Sequence, residues 1–417
     1  FTPKQPFADA PDRRLVLGLL HDRQGRVIDE CLGVVCRAPH SYTGEETVEL
    51  QCHGSPAMLA AGLEALLAAG ARQAGPGEFT RRAFLNGKLD LTQAEAVVDL
   101  IDAETADAAA NAAAQLGGAL KRAIEPVYDG LTDLCSHFHA VLDYPDEDIE
   151  DFGAAELSGA LDRAGAALQE LLATYEKGRH LRQGVRAVLL GKPNAGKSSL
   201  LNRLAGYDRV IVTDIAGTTR DTVEEPVRVG RVLLRLTDTA GIREAGDAIE
   251  ALGVARSEQA AREAELALFV CDASQPLTDE DRRAIEAAKC APRSLALCNK
   301  SDLPAAVSPD ELPFDTVLTV SARTGAGLDA LPALLEGWFL GGNACDGSLL
   351  TNPRQFGALD RASRAIARAK TGLGLGVTPD AVLTDVEEAM AALGEVTGRT
   401  VREDITNRIF ERFCVGK

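Results

Sequence analysis

Apolar and polar positions change their period several times along the chain, and each change marks a different kind of structure. Within residues 1–88, short apolar runs separated by polar turns predict strands at 15–20, 27–35 and 47–51. Helical spacing at 56–71 predicts one amphipathic helix, and residues 75–88 have the polar composition of a loop. The first 88 residues are therefore expected to form an α/β domain with a mixed sheet.

From Leu91 the apolar spacing becomes helical and alanine-rich as far as about residue 144, with interruptions predicted near Gly117 and Pro126. Helical spacing resumes at 154–182 and again at 351–413. We expect these separated stretches to pack together as one helical bundle domain, with the residues between them inserted as a further domain.

The inserted region begins with an apolar run at 185–190, typical of a buried parallel strand. The next residues, Gly-Lys-Pro-Asn-Ala-Gly-Lys-Ser at 191–198, fit Gly-x-x-x-x-Gly-Lys-Ser and lead into helical spacing, as a phosphate-binding loop requires. Backbone N–H groups would surround the phosphates, Lys197 would reach the terminal ones, and the Ser198 hydroxyl could bind Mg²⁺. A chance match on a structural turn is the alternative for this motif alone. The candidate binding residues of the loop are Asn194, Ala195, Gly196, Lys197, Ser198 and Ser199.

Three later motifs follow predicted strands in the order found in GTP-binding domains. Asp238-Thr-Ala-Gly places a carboxylate near the metal, and Asn299-Lys-Ser-Asp302 offers a carboxylate that can accept both N–H groups of guanine. Ser321-Ala-Arg closes the base pocket, and the polar stretch 213–221 carries Thr219 as a second hydroxyl for the metal. These motifs predict a Ras-like α/β G domain that binds GTP. The candidate residues are Thr213, Thr218, Thr219, Asp238, Thr239, Ala240, Gly241, Asn299, Lys300, Asp302, Ser321, Ala322 and Arg323.

The position that holds a water-orienting glutamine in Ras-like GTPases is Ile242 here, which cannot hydrogen-bond. Another group must position the water, and the spacing leaves three acidic candidates open, namely Glu244, Asp247 and Glu250. The developing charge also needs a cation, which could be Arg220, Arg243 or a monovalent ion held by Asn194.

Composition limits the partners, the metal sites and the cellular location that can be expected for this chemistry. The 417 residues carry a net charge of -18 with a pI near 4.9, so a broad basic surface for nucleic acid is not expected and any RNA contact should be local or shared with a partner. Nine scattered cysteines without a Cys-x-x-Cys pair argue against disulfides and zinc and favour a cytoplasmic location. No apolar stretch approaches the ~18 residues of a membrane helix. Because the first residue is Phe1, we expect the natural chain to begin earlier.

Three further residues have a structural and a functional interpretation. From spacing alone, Glu49 is expected to face solvent from its strand. Lys88, with Glu78, Arg81 and Arg82, could meet an anionic ligand, although a solvated face is the favoured interpretation. Cys414 lies three residues before Lys417, whose ammonium would lower a thiol pKa, although a small buried hydrophobic residue is the commoner interpretation.

Motifs along nearly the whole chain make it resemble the MnmE (TrmE) family of tRNA-modification GTPases. They are Tyr-Thr-Gly-Glu-Glu at 42–46, Pro-Gly-Glu-Phe at 76–79, Leu-Asn-Gly-Lys-Leu-Asp-Leu at 85–91, Gln-Ala-Glu-Ala at 93–96, Gly-Thr-Thr-Arg-Asp at 217–221 and the tail Phe-Cys-Val-Gly-Lys at 413–417. The resemblance implies a folate-binding and dimerising domain at 1–88, a helical domain at 89–183 and 343–417, and an inserted G domain at 184–342.

The resemblance also implies partners and cofactors. Such proteins form homodimers and act with the flavoprotein MnmG (GidA), in a heterotetramer, to place an aminomethyl or carboxymethylaminomethyl group on the wobble uridine of certain tRNAs. A 5-formyl- or methylene-tetrahydrofolate serves as one-carbon donor, and Glu49, Lys88 and Lys417 match the folate-site positions, as Cys414 matches the tail cysteine. A strand and a Gly- and Arg-rich turn ahead of Phe1 supply a further folate contact in the family.

For the G domain, the resemblance implies Mg²⁺ on Ser198 and Thr219 and a water-orienting role for Glu250. It places K⁺, in the role of an arginine finger, on Asn194, Thr213, Ile215 and Thr218. The main rival from another class is a GTP-regulated ribosome-assembly switch, which shares the G-domain motifs but not the flanking ones. A slowly hydrolysing structural scaffold is a third hypothesis.

Overall fold

The computed structural model describes residues 1–3, 9–143, 154–207, 224–237, 250–341, 349–400, 409, 410 and 413. The chain divides into two compact units, each built from separated segments. One comprises Phe1–Val98, Gln115–Gly165 and Ala358–Lys417, and the other comprises Asp99–Ala114 and Ala166–Gly357. Within the described ranges, no helix has both the length and the apolarity needed to cross a bilayer.

The first unit opens with a four-stranded antiparallel sheet whose spatial order follows the chain. Its strands are β1 (Thr2–Pro3), β2 (Val16–His21), β3 (Val27–Cys36) and β4 (Thr47–Gln51). The turn between β2 and β3 is fixed by Asp22, whose carboxylate accepts the backbone N–H groups of Gln24 and Arg26. Helix α1 (Pro56–Ala68) follows, with the buried Gly62 close to Leu20 of β2. The strands and the helix agree with those predicted from the apolar pattern.

The region after residue 75 is more helical than its polar composition predicts. Helix α2 (Glu78–Leu85) replaces the expected loop, because Thr80 and Ala83 are three positions apart and both are buried on one face. Glu78 also accepts the backbone N–H of Gly75, which fixes the turn that precedes the helix. The prediction of a loop at 75–88 was therefore wrong over the residues of α2.

The following helices are α3 (Leu91–Ile101), α4 (Ala106–Leu116), α5 (Ala119–Asp143), α6 (Ala154–Ala173) and α7 (Tyr175–Gln183). The break predicted at Pro126 is absent, since Pro126 lies inside α5. A proline in a helix interior removes a hydrogen bond and costs about 3 kcal/mol. The buried apolar face of α5 offsets that cost, and its members Leu120, Ile124, Val127, Leu131 and Leu134 are all at most 7% exposed.

Two helices lie near the end of the chain, α12 (Pro353–Gly374) and α13 (Pro379–Thr397). Within the first unit α13 packs on α5, with Met390 Sδ 3.5 Å from Cys135 Sγ. In the same unit, Ala94, Phe410 and Phe413 form a small buried cluster, and the rings of Phe84 and Phe410 lie 6.2 Å apart.

The second unit contains a six-stranded sheet in the order β10-β9-β8-β5-β7-β6. Only β6 runs antiparallel, to its neighbour β7. The strands are β5 (Val185–Leu190), β6 (Glu224–Val229), β7 (Val232–Thr237), β8 (Leu266–Asp272), β9 (Arg293–Asn299) and β10 (Val317–Thr319). The helices are α8 (Lys197–Tyr207), α9 (Glu250–Glu263), α10 (Asp279–Ala288) and α11 (Ala330–Phe339), with a short 3₁₀ turn at Pro309–Glu311.

Both faces of this sheet are buried. Within β5, Leu189 enters one apolar cluster while Val188 and Leu190 enter the other, so consecutive side chains point into different layers. Parallel strands covered on both faces require continuous apolar runs, as in β8, where every residue is buried. The six-stranded sheet, the N-terminal sheet and the helical segments confirm the predicted multidomain fold class, although the four described N-terminal strands are antiparallel and do not form the mixed sheet that was expected. The carboxyl ends of β5, β8 and β9 meet at one edge, which is where the candidate site lies.

Candidate nucleotide-binding site

The phosphate-loop motif connects the end of β5 to the first turn of α8. Gly191 and Gly196 have φ values of 142° and 96°, and a Cβ at either would lie 2.1 Å from a neighbouring atom, Val270 O or Asn299 Nδ2 respectively. Only glycine fits these two positions without displacing its neighbours. Ser198 and Ser199 are exposed at the start of α8, where the helix dipole favours an anion. The loop therefore has the form and the polarity of a phosphate cradle.

Lys197 is held against the loop that it belongs to. Its ammonium Nζ donates to the carbonyl oxygens of Gly191 at 2.7 Å and Lys192 at 2.8 Å. The charge is thus placed at the loop by backbone acceptors that the loop itself supplies. From there it can meet the terminal phosphates of a nucleotide.

Asn299 joins the phosphate loop to the loop that follows β10. Its Nδ2 donates to the carbonyl of Ala195 at 2.8 Å, and its Oδ1 accepts the backbone N–H of Ala322 at 2.9 Å. Asn299 is only 1% exposed, so both hydrogen bonds are shielded from water. One side chain therefore fixes the distance between the phosphate loop and the loop that follows β10.

Asp302 presents a charged carboxylate next to the loop that follows β10. Ser321 Oγ donates to its Oδ1 at 2.5 Å, and Arg323 Nη2 lies 2.7 Å from its Oδ2. The hydrogen bond from Ser321 holds the pKa of Asp302 below its ordinary value, against the opposing effect of burial, and the Arg323 charge adds to the lowering. The carboxylate is therefore ionised at neutral pH and can accept the paired N–H groups of guanine.

Two contributors to the site were missed by the motif search. Asp272, at the end of β8, pairs with Lys300 Nζ at 2.6 Å. Lys300 itself has a backbone φ of 66°, and the ion pair holds its side chain in place. Burial alone would raise the pKa of Asp272, but hydrogen bonds from Lys300 and Ser274 outweigh it, so the pKa lies below the ordinary value. The available signal was an acidic residue that ends a wholly apolar parallel strand.

The other missed residue is Arg203 on α8. Its Nε donates to the carbonyl of Ala322 at 3.1 Å, and its Nη2 donates to the carbonyl of Arg323. Arg203 thereby anchors the loop that follows β10, which we call the base-side loop. Nothing in the sequence pattern distinguishes it from a solvated helix arginine.

Several predicted site residues lie outside the described residues. Glu250 is the first residue of α9, although the structure does not describe its side chain. The remaining predicted residues outside the described part are Thr213, Ile215, Thr218, Thr219, Asp238, Thr239, Ala240, Gly241, Cys414 and Lys417.

The two described candidates for folate binding both belong to the first unit. Glu49 lies on β4 at the edge of the four-stranded sheet, opposite Val34 of β3, and its side chain is exposed. Lys88 is also exposed, just after α2, and its Nζ donates to the carbonyl of Pro39 at 3.1 Å. Both side chains are therefore accessible to a ligand, each with its own surroundings.

Comparison with known proteins identifies relatives over the full chain. A family model described as the GTP-binding protein TrmE N-terminus matches residues 2–88, and one described as the MnmE helical domain matches residues 91–414. A tRNA modification GTPase MnmE from Roseiflexus sp. (strain RS-1) is 45% identical over 433 residues, covering 100% of this chain and 92% of that protein. The protein of the same name from Aquifex aeolicus (strain VF5) is 42% identical, covering 96% of this chain and 89% of the relative.

We expect Asn299→Ala to weaken binding of a guanine nucleotide about tenfold or more, because it leaves the Ala195 carbonyl and the Ala322 N–H buried without partners, at about 1–3 kcal/mol each. Titration of the purified protein with fluorescent GDP measures the effect. Ser301→Ala, an exposed position in the same motif, is the matched control. An Asn299→Ala protein that binds GDP as tightly as wild type would contradict the bridging role.

Proposed function

The chain belongs to the MnmE family of tRNA modification GTPases, and we propose that it couples GTP hydrolysis in the site described above to the modification of wobble uridines in certain tRNAs. The observation that carries the GTP part is the pair of hydrogen bonds made by Asn299. They join the phosphate loop to the loop after β10, where Ser321 holds the ionised carboxylate of Asp302 that would bind guanine. The tRNA part is carried by family membership over the full chain.

The nucleotide would bind with its phosphates in the loop at 191–198 and its base against Asp302. Lys197 donates to the terminal phosphates, and the Asp302 carboxylate accepts two hydrogen bonds from the guanine edge. Adenine offers no such pair of donors, so Asp302 selects GTP over ATP.

The described part of the loop fits the two cations that hydrolysis requires. The Ser198 hydroxyl is exposed in the first turn of α8, and Asn194 is exposed with a φ of 64°. In this proposal Ser198 and Thr219 hold Mg²⁺. The K⁺ ligands would be Asn194, Thr213, Ile215 and Thr218. When bound, these cations supply positive charge where the transition state accumulates negative charge.

Glu250 is proposed to orient the attacking water, since Ile242 at the usual position cannot hydrogen-bond. Its carboxylate would accept a hydrogen bond from the water and align it with the terminal phosphate.

The remaining parts of the proposal concern assembly and the one-carbon donor. We place a folate-binding domain at 1–88, a helical domain at 89–183 and 343–417, and the G domain at 184–342. Glu49, Lys88 and Lys417 would hold a tetrahydrofolate, and the exposed Glu49 carboxylate suits the paired N–H donors of a pterin. The role of Cys414 is left at its place in the family's tail motif.

Homodimer formation is supported by an exposed apolar face on α1. Four leucines at helical spacing are each 38–50% exposed, and such a contiguous apolar surface favours association. They are Leu59, Leu63, Leu66 and Leu67. The flavoprotein MnmG would join this cytoplasmic dimer in a heterotetramer.

We expect Asp302→Asn to weaken GTP binding by about 100-fold or more and to favour xanthosine triphosphate, because an amide can donate to the extra xanthine carbonyl. Competition between the two nucleotides on the purified variant measures the preference. Asp310→Asn, in the exposed 3₁₀ turn, is the control. Retained preference for GTP would place guanine recognition elsewhere.

GTP hydrolysis is expected to be about tenfold or more faster in KCl than in NaCl at equal ionic strength, since no arginine is assigned to the charge-stabilising role. Phosphate release measures the rate, and GDP affinity in both salts is the control. Equal rates in both salts would eliminate the K⁺ mechanism.

Glu250→Ala should lower turnover in KCl while leaving GDP affinity unchanged. Full turnover by this variant would assign the water to another residue.

In cells that lack this gene, mass spectrometry of tRNA nucleosides should show unmodified wobble uridine where wild-type cells carry the modified base. Restoring the wild-type gene should restore the modification, and Asp302→Asn should not. Glu49→Ala should also fail to restore it while still hydrolysing GTP, because the carboxylate is assigned to folate. Normal wobble uridines in the deletion strain would favour the ribosome-assembly alternative.

A further inference from the structure

The second residue of the phosphate loop is a lysine that the motif does not require. Lys192 occupies the first variable position of Gly-x-x-x-x-Gly-Lys-Ser, yet its side chain is only 11% exposed. Its Nζ lies 3.0 Å from Oδ2 of Asp281, whose side chain is fully buried. Removing one partner of such a buried ion pair is strongly destabilising, because the other charge is left buried without compensation.

Asp281 is fixed independently of Lys192. It stands at the third position of α10 and forms a capping box with Thr278. Its Oδ2 accepts the backbone N–H of Thr278 at 2.9 Å and the Thr278 hydroxyl at 2.7 Å. Lys192 therefore docks on an acceptor whose orientation is set by the start of α10.

Lys192 is also linked to the lysine of the motif, Lys197, through its backbone. The carbonyl of Lys192 accepts Lys197 Nζ at 2.8 Å, alongside the carbonyl of Gly191 at 2.7 Å. Gly191 is confined by the backbone of Val270 on β8. The two carbonyls that receive Lys197 are thus anchored separately, one by close packing on β8 and the other by the ion pair to α10.

We propose that Lys192 and Asp281 are a positioning pair for GTP binding, which holds the loop carbonyls that orient Lys197 toward the terminal phosphates. This inference rests on the proposed function, because it assumes that the loop binds GTP. Neither side chain is assigned a contact with the nucleotide. The physical advantage is pre-organisation, since a loop already ordered loses less conformational entropy when the phosphates arrive.

The test compares GTP, GDP and GMP as competitors of fluorescent GDP on the full chain. We expect Lys192→Met to weaken GTP and GDP about tenfold and GMP less than about twofold, because Lys197 reaches the β- and γ-phosphates that GMP lacks. Asp281→Asn should weaken the same two nucleotides, and the effects of the two substitutions should not add in the double variant. Lys192→Arg, which keeps the cation, should restore most of the affinity.

Ile285→Ala is the matched control, because Ile285 is a buried apolar residue of α10 that leaves the ion pair intact. It should lower the melting temperature without changing the ratio of GTP to GMP affinity. Equal weakening of all three nucleotides by Lys192→Met, or wild-type affinity for GTP, would overturn the proposal. Loss of affinity in Lys192→Met but not in Asp281→Asn would also overturn it, by showing a direct phosphate contact. A wild-type chain that does not bind GTP would instead refute the proposed function.

Discussion

The site depends on one constraint, the pair of hydrogen bonds by which Asn299 ties the phosphate loop to the base-side loop. These loops follow strands β5 and β10, which are not neighbours in the sheet, so the strand ladder alone does not fix their separation. Asn299 supplies that link at the end of β9, using both ends of one buried amide. Because a buried amide that lost either partner would be costly, the two loops are held at a single distance. The separation of the two loops is thereby built into the protein.

The charges around this link are paired within the chain. Lys300 is paired with Asp272, Lys197 with backbone carbonyls, and Asp302 with Arg323. A guanine base that binds Asp302 would compete with Arg323 for the carboxylate. Arg323 is a weak competitor, because its side chain is 74% exposed and a solvent-exposed ion pair contributes at most about 1 kcal/mol. The Asp272–Lys300 pair is more buried, which suits a structural support that stays in place.

The sequence allowed the parts of the site that are local to be predicted, and missed those created by packing. The strand at 185–190 and the glycine-rich turn after it could be identified because adjacent residues carry the whole signal. Arg203 could not be identified, since the carbonyls to which it donates lie about 120 positions away in the chain. Helix α2 and the unbroken α5 were mispredicted for a related reason, because buried neighbours outweighed a polar composition in one case and Pro126 in the other. The site residues outside the described part of the chain remain predictions.

The net charge of -18 places a physical condition on the proposed work with tRNA. A polyanion approaching so acidic a chain is repelled at long range, and affinity for RNA normally comes from clustered lysine and arginine that displace counterions. Many arginines in the described segments are already neutralised by carboxylates, as Arg368 is by Asp385 and Glu388 on the helical segments. A chain of this kind would need a local cluster of positive charge, or positive charge from a partner protein, to bind tRNA. The second case would give the proposed heterotetramer an electrostatic reason.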